Sequence, residues 1–374
     1  MALAFNIDQE TALDMVLTPM VQNSNLYAPI TTNLAEPQSG TAPIGVFFNI
    51  ENGGYLNTIT MPKGALQVTP TQTQQRQGTY TPAHFATSSS ATWALQDYGI
   101  YSTVTGTDIK NAKIQFPSTG EIDNEGMRYA NTIAELFKPV IATDITRHAF
   151  WSETGVNFAT AYASNTFGAE TLATLPLKDG FVKQIKTAIA ANDIANYDTS
   201  SLNDDALTNA QVVTLMEAVL AGADYKLTQS LYSNLPTERK PVFLVSTSVW
   251  TAYKRYLGTL GDNTAFFFRG IDANGNPLQQ VRALVYEEAL VISAGDIFDD
   301  WSKNASAAVN QHYAILTARE NLAIAYNFQA GVPALSFENL GLKGQFSYGF
   351  GMFPRMDFKI AIAESSTMSV AGFQ

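Results

Sequence analysis

From Val21 to Thr107 the chain carries a full charge only at Glu36, Glu51, Lys63, Arg76 and Asp97. Thr, Gln, Ser, Gly and Pro fill much of this stretch, interleaved with short runs of strand-forming residues. Val46-Phe47-Phe48-Asn49-Ile50, Tyr55-Leu56-Asn57-Thr58-Ile59-Thr60-Met61, Ala91-Thr92-Trp93-Ala94-Leu95 and Gly99-Ile100-Tyr101-Ser102-Thr103-Val104 read as strands bounded by turn residues. So long a polar segment with scattered strands is marginal as an isolated domain. A disordered linker is the alternative, but Trp93, Tyr98, Tyr101 and the aliphatic residues count against it. The segment reads as an extended hairpin arm that gains stability by lying on neighbours.

On either side of the arm the patterns are helical and then mixed. Asp8 suits the cap of a short helix carrying Leu13, Met15, Val16 and Leu17, which Pro19 stops. Asp123 suits the cap of a long amphipathic helix, in which Met127, Ala130, Ile133, Ala134, Phe137, Val140, Ile141 and Ile145 recur at helical spacing through to Phe150. Pro139 should bend it, because proline removes a backbone hydrogen bond. Gly155 to Pro176 reads as a small, polar connector anchored by Phe158, Tyr162 and Phe167. Asp179 and Thr208 then suit the caps of two further helices. Pro241 to Ser246 is a continuous apolar strand of the fully buried kind, followed directly by a helix bearing Trp250, Tyr253, Tyr256 and Leu257. Asp272 to Pro277 reads as a turn, and Ala289 to Ser293 as another strand. Tyr313 to Thr317 and Leu322 to Phe328 flank the polar Arg319-Glu320-Asn321. Met356, Phe358, Ile360 and Ile362 alternate with Asp357, Lys359, Ala361 and Ala363, the pattern of a half-buried antiparallel strand. The class is α+β, and no internal repeat is apparent.

Only 15% of the 374 residues are charged, against about 25% in ordinary soluble domains. A neutral secreted protein would show this, but so would a surface covered by other subunits, since charge is depleted at interface centres. The net charge of -11 disfavours broad attraction to nucleic acid and suits a container that must not stick to its contents; solubility alone is an equally good reason for it. Without cysteine, disulfides, thiolate metal sites and cysteine nucleophiles are excluded. The N-terminal residues lack a basic region followed by an apolar core, and no apolar run reaches the length of a membrane span, so cytoplasmic synthesis is expected.

Chemistry is sparse. His84, His148 and His312 lie in three regions, none with a carboxylate at metal-ligand spacing, and no HExxH, GxSxG, Walker A loop or complete GxGxxG is present. Gly349-Phe350-Gly351 reads as a turn and not a phosphate loop. Asp272, Asn274 and Asn276 imitate a calcium loop, but Pro277 and Ala283 stand where glycine and glutamate are needed. Glu287-Glu288 and Asp299-Asp300 could in principle do acid–base work, though adjacent acids on loops are usually solvated surface. Asn304-Ala305-Ser306 is a glycosylation sequon by letter only. No catalytic, metal-binding or cofactor-binding residue is assigned, and no cofactor is expected.

The order of these elements resembles the Hong Kong 97-type major capsid fold of tailed bacteriophages. That resemblance implies an N-terminal arm at 1–45, a peripheral-domain strand at 46–54 and an extended β-hairpin, the E-loop, at 55–107. It further implies a peripheral domain with a long spine helix at 108–178, an inserted axial domain at 179–309 and peripheral C-terminal strands at 310–374. Asp179-Gly180-Phe181-Val182-Lys183-Gln184-Ile185 is similar to the helix that opens the axial domain. Val242 to Leu257 is similar to the family's apolar strand, serine and aromatic-rich helix, and Ala314 to Leu322 to its return strand into the peripheral sheet.

The implied function is a structural subunit that self-assembles as hexamers and pentamers into an icosahedral head shell enclosing phage DNA, with no sequence-specific contact to it. No charged scaffolding segment precedes the arm, so a separate scaffolding protein is implied, along with a portal and optional decoration proteins. With Met1 first, removal of an N-terminal propeptide is not expected. The family's lysine crosslink is not carried over, although Lys63 is the hairpin's lysine. By residue type Arg76, Tyr80 and Trp93 suit subunit-interface anchors. The implied location is the virion, assembled in the host bacterial cytoplasm without a membrane partner. The rivals are an encapsulin-type compartment shell, a β-rich surface or tail adhesin, and, weakest, a hydrolase using Glu287 or Asp299.

Overall fold

A computed structural model describes residues 4–7, 27–30, 43–48, 50–60, 87–105, 140–161, 167–202, 206–233, 240–260, 266–268, 281–304, 312–328, 335–339 and 347–373. The helix expected after Asp8, the Asp272–Pro277 turn and the Asp123–Pro139 stretch with its bend lie outside these residues.

In chain order the first strands are β1 (Ala4–Ile7), β2 (Tyr27–Ile30), β3 (Ile44–Phe48), β4 (Tyr55–Thr60), β5 (Thr87–Thr92), β6 (Gln96–Asp97) and β7 (Ile100–Thr105). Helices α1 (140–151), α2 (Phe158–Ala161), α3 (Ala169–Thr174) with a 3-10 turn at Leu175–Leu177, and α4 (Phe181–Ala190) follow. Next come β8 (Asn196–Tyr197), α5 (Asn209–Ala221), α6 (Tyr225–Leu231), β9 (Val242–Val245) and α7 (Thr247–Thr259). The chain continues through β10 (Phe266–Phe268), β11 (Val281–Tyr286), β12 (Ala289–Ser293) and α8 (Gly295–Asn304). It ends with β13 (Ala314–Thr317), β14 (Leu322–Phe328), β15 (Leu335–Asn339), β16 (Ser347–Met352), β17 (Pro354–Ile360) and β18 (Met368–Ala371).

Strand β9 is buried at every position, which demands cover on both faces of its sheet. Alternation supplies it. Phe243 and Val245 face a cluster with Leu215, Met216, Val219 and Val249 from α5 and α7, whereas Leu244 faces one with Phe150, Ile185 and Phe298 from α1, α4 and α8. The sheet has seven strands in the order β10-β11-β12-β9-β13-β18-β8, with β12 parallel and β13 antiparallel to β9. Thr208 caps α5 with a full capping box to Gln211, as its position predicts.

A five-stranded sheet, β2-β3-β14-β17-β6, packs on the other side of α1 and α4. Met356, Phe358 and Ile360 of β17 face the helices, as the alternation in the sequence predicts, and so do Leu322, Ile324, Tyr326 and Phe328 of β14. A four-stranded sheet, β1-β15-β16-β7, and a separate two-stranded sheet, β4-β5, complete the described strands.

Several expectations change. Strands β13 and β18, both beyond residue 310, pair within the seven-stranded sheet: Ala314 lies opposite both Val245 and Ala371. All four residues of each are buried, so each needs a sheet covered on both faces. Within the 55–107 segment, β6 pairs with β17 and β7 with β16, leaving β4-β5 as the hairpin proper. The 155–176 connector contains α2 and α3. Gly349-Phe350-Gly351 lies inside β16, paired on both sides, and is not a turn. Asp299 and Asp300 lie on α8 and not on a loop. Gly180, not Asp179, is the N-cap of α4. Its N–H donates to the Ser152 carbonyl at 2.7 Å, and a Cβ there would sit 2.8 Å from the Ala149 and Phe150 oxygens. Only glycine permits that approach.

Candidate functional site

The hairpin β4-β5 joins the five-stranded sheet through a root formed by residues 50–56 and 91–98. Opposite the helix-facing residues of β14, Ala323 and Ala325 present small side chains, and the space above them is filled by Trp93, Leu56 and Leu95 with Phe47 and Ile50 alongside. Trp93 is 1% exposed, with its ring centroid 6.0 Å from that of Phe47. Its backbone exchanges hydrogen bonds with the turn: Gly53 N–H donates to the Trp93 carbonyl and Trp93 N–H to the Gly54 carbonyl, each at 2.8 Å. Leu95 N–H donates to Asn52 Oδ1 at 3.1 Å, and Asn327 Nδ2 to the Ile50 carbonyl at 2.7 Å.

The polar face of β17 also lies under this root. Asp357, expected on a half-exposed face, has a fully buried side chain. Its Oδ2 accepts from Ala94 N–H at 2.8 Å and its Oδ1 from Phe358 N–H at 2.9 Å. Lys178, just beyond the 3-10 turn, reaches Asp357 Oδ1 at 3.0 Å and donates to the Ala94 carbonyl at 2.7 Å; Lys359 lies at 3.7 Å from Oδ2. A buried carboxylate costs several kcal/mol unless it is paired and hydrogen-bonded, and here it is both. Beside it, Tyr98 N–H donates to the Pro354 carbonyl, and burial, then the Asp357 charge, push the Tyr98 phenol well above its usual range. At the rim, Arg355 pairs with Asp97 at 2.6 Å.

A second polar tie joins α1 to its surroundings. Arg147 grips Asp300 of α8 through Nε at 2.9 Å and Nη2 at 3.2 Å, contacts Asp144 at 2.6 Å and lies over the Phe167 ring at 4.7 Å. His148 Nδ1 lies 2.7 Å from the Asp144 carbonyl, an obligate acceptor, so Nδ1 carries the proton; Nε2 lies 2.8 Å from Thr174 Oγ1, whose hydroxyl also donates to the Glu170 carbonyl at 3.0 Å. Burial, the largest cause, pushes the His148 pKa down and the Asp144 carboxyl up.

The groups with chemical potential are engaged elsewhere. Ser248 Oγ lies 2.9 Å from His312 Nδ1, a nucleophile–base distance, but His312 is 0% exposed and Ser246, in contact with Ser248, accepts from Tyr313 N–H. The triad-like set ties β9 and α7 to β13. Glu287 and Glu288 form the exposed β11-β12 turn, both with positive φ; Glu288 pairs with Lys240 at 2.7 Å and Tyr232 donates to Glu287 at 3.4 Å. Among the described residues no cluster of His, Asp or Glu is placed to hold a metal, and no helix is long and apolar enough to cross a membrane.

Of the three anchors read from residue type, Arg76 and Tyr80 lie outside the described residues, as do Lys63 and His84. The Trp93 ring is covered by the chain's own β14 and β3, which leaves little of it for a neighbouring subunit. Lys178, Asp357 and Ala94 were not singled out. The only local sign was an aspartate inside an alternating strand, which ordinarily means solvent.

No family model and no curated protein matches the chain. Among solved structures it is similar to the satellite phage P4 procapsid that includes the size determination protein, at 9% identity over 97% of both chains with a TM-score of 0.46. It is also similar to the capsid of a native GTA particle, at 13% identity over 91% of this chain and 95% of that one, TM-score 0.43. A third is the cyanophage Pam1 capsid asymmetric unit, at 14% identity over 93% of this chain and 89% of that one, TM-score 0.44.

Proposed function

We propose that this chain is a structural subunit that self-assembles into the icosahedral head shell of a tailed bacteriophage, and is not an enzyme. The observation that carries the reading is the separate two-stranded sheet β4-β5, rooted on the five-stranded sheet next to a mixed α/β unit. A lone two-stranded hairpin is marginal in water, so one held this firmly at its root makes sense if neighbours cover the rest. The element order fits the Hong Kong 97-type arrangement, with the arm at 1–45, the hairpin within 55–107, a peripheral part around α1 and an axial part around β9. β13 and β18 are then assigned to the axial sheet.

In this reading hexamers and pentamers close the shell, and many modest contacts sum to a stable container. The net charge of -11 lets packaged DNA lie inside without adhering. A scaffolding protein, a portal and decoration proteins complete the particle, which is assembled in the host cytoplasm.

The test is negative-stain microscopy of the purified full chain across assembly conditions, with nuclease-protected DNA assayed in native particles. Closed shells or capsomers are expected. A monomer under every condition overturns the reading, and shells holding an enzyme cargo in place of DNA convert it to a compartment shell.

A further inference from the structure

We infer that Lys178 and Asp357 form a polarity-specific clamp on residue 94 that sets the direction in which the hairpin leaves the five-stranded sheet, making them positioning residues for assembly. The inference rests on the shell-subunit reading above. Among the described strands β4 and β5 pair only with each other, so the hairpin takes its direction from its root. The root is held by packing, by the short pairing of Gln96 and Asp97 with β17, by Asn327 on the Ile50 carbonyl, and by the clamp, which is the one of these that ties it to the α4 entry as well as to the sheet. Packing of Trp93, Leu56 and Leu95 on Ala323 and Ala325 is strong, but apolar contact is non-directional and tolerates a ring sliding on a flat patch of alanines. The clamp is directional. Residue 94 is gripped at its N–H by Asp357 and at its carbonyl by Lys178, from two different elements, β17 and the segment entering α4. That segment is itself fixed to the end of α1, because Asp179 Oδ1 accepts from Thr154 N–H at 2.8 Å and Gly180 N–H donates to Ser152. The hairpin direction is therefore referred to sheet and helix together.

The order of the charges matters as much as their presence. The N–H of residue 94 needs a carboxylate and its carbonyl needs an ammonium, so the pair works in one polarity only. An ordinary ion pair between β17 and the α4 entry would work in either. That difference separates positioning from generic stabilisation.

The experiment compares wild type, Asp357→Asn, Lys178→Gln and the reversed pair Lys178→Asp/Asp357→Lys as full chains. Peptide-resolved hydrogen exchange is read over 91–98 and over β9 and β13, and assembled particles are sized by microscopy. Losing a charged hydrogen bond should speed exchange at 91–98 by about 10- to 100-fold while β9 and β13 stay protected, and particle diameters should spread. The reversed pair should stay as open at 91–98 as the single variants. Restored protection in the reversed pair, or unchanged exchange and diameters in Asp357→Asn, overturns the clamp. If Asp357→Asn does not fold, Lys178→Gln, whose side chain reaches the surface, decides by the same two readouts. Wild type that forms no particles overturns the shell-subunit reading, and the exchange result alone then judges the clamp.

Discussion

Trp301 tests whether aromatic stacking joins the end of α1 to α8. It is 2% exposed and stacks on Trp151 with centroids 4.7 Å apart and planes 4° from parallel, with Phe167 at 5.4 Å and Phe158 at 6.0 Å. Burying a tryptophan removes about 200 Å² from water, worth about 5 kcal/mol at about 25 cal/mol per Å². Leucine in its place recovers about 2–3 kcal/mol, and the lost stacking adds about 1 kcal/mol. Trp301→Leu should therefore destabilise by about 3–4 kcal/mol. Guanidinium unfolding of the unassembled chain, followed by far-ultraviolet circular dichroism, measures it. A double-mutant cycle with Trp151→Leu should show a coupling of about 1 kcal/mol, because the two rings touch. A loss below about 1 kcal/mol, or strict additivity, would refute the claim that this stack carries the junction.

Stability should fall as pH drops below about 6.5, because His148 is neutral in the folded chain with a lowered pKa and the unfolded chain takes up the proton first. The slope from one proton is at most about 1.4 kcal/mol per pH unit. His148→Gln should remove it, and an unchanged slope in pH-dependent denaturation would show that another group is responsible. Asp144 and Glu320, with carboxyls pushed up by burial, act in the opposite sense, so the difference between variant and wild type is the quantity to read. Gly180→Ala should cost about 1–3 kcal/mol, since the nearest oxygens belong to backbone and cannot rotate away; a melting temperature equal to wild type counts against that. Glu287→Asn should stabilise by up to about 1 kcal/mol, since asparagine tolerates the left-handed backbone at φ 50 that glutamate resists. A lower denaturation midpoint would mean that the Tyr232–Glu287 contact outweighs the relieved strain.

What the sequence made legible was whatever repeats locally. The 3.6 period of Val212, Leu215, Met216 and Val219 marked α5, the unbroken apolar run marked β9, and period-two alternation marked the helix-facing side of β17. What it hid depends on distant segments. Asp357 looks solvent-facing because alternation reveals which side of a strand is apolar but not what covers the other side. Here the cover arrives from Ala94, 263 residues away. The burial of Trp93 is hidden for the same reason: its residue type suits an interface, and the alanines at 323 and 325 that make room for it within the chain are silent in composition. The place of β13 and β18 in the seven-stranded sheet was hidden because a short apolar strand says that it is buried, not beside which partner.

The two main sheets are joined where the chain crosses between them twice, side by side, at 318–321 and 361–367. Ala318 N–H donates to the Thr367 carbonyl at 2.8 Å and Ala361 N–H to the Asn321 carbonyl at 2.7 Å, linking the crossings to each other. Asn321, 3% exposed, completes the link by donating through Nδ2 to the Ile362 carbonyl at 3.0 Å and accepting from Ile362 N–H at 2.8 Å, as a strand residue would. This resembles the grip on residue 94: in both, side chains engage the donor and the acceptor of one backbone residue, a single amide at Ile362 and an aspartate–lysine pair from two elements at Ala94. Each such bond contributes only about 1 kcal/mol net between neutral groups and about 1.5–3 kcal/mol where one partner is charged, less than the aromatic packing around α1 taken together. Its value is angular, since a hydrogen bond weakens steeply when misaligned whereas an apolar contact does not. Apolar clusters therefore supply most of the stability, and these few buried polar grips add directional restraint between the hairpin root and the sheets. In the shell-subunit reading, such restraint is what identical copies need if they are to close a shell.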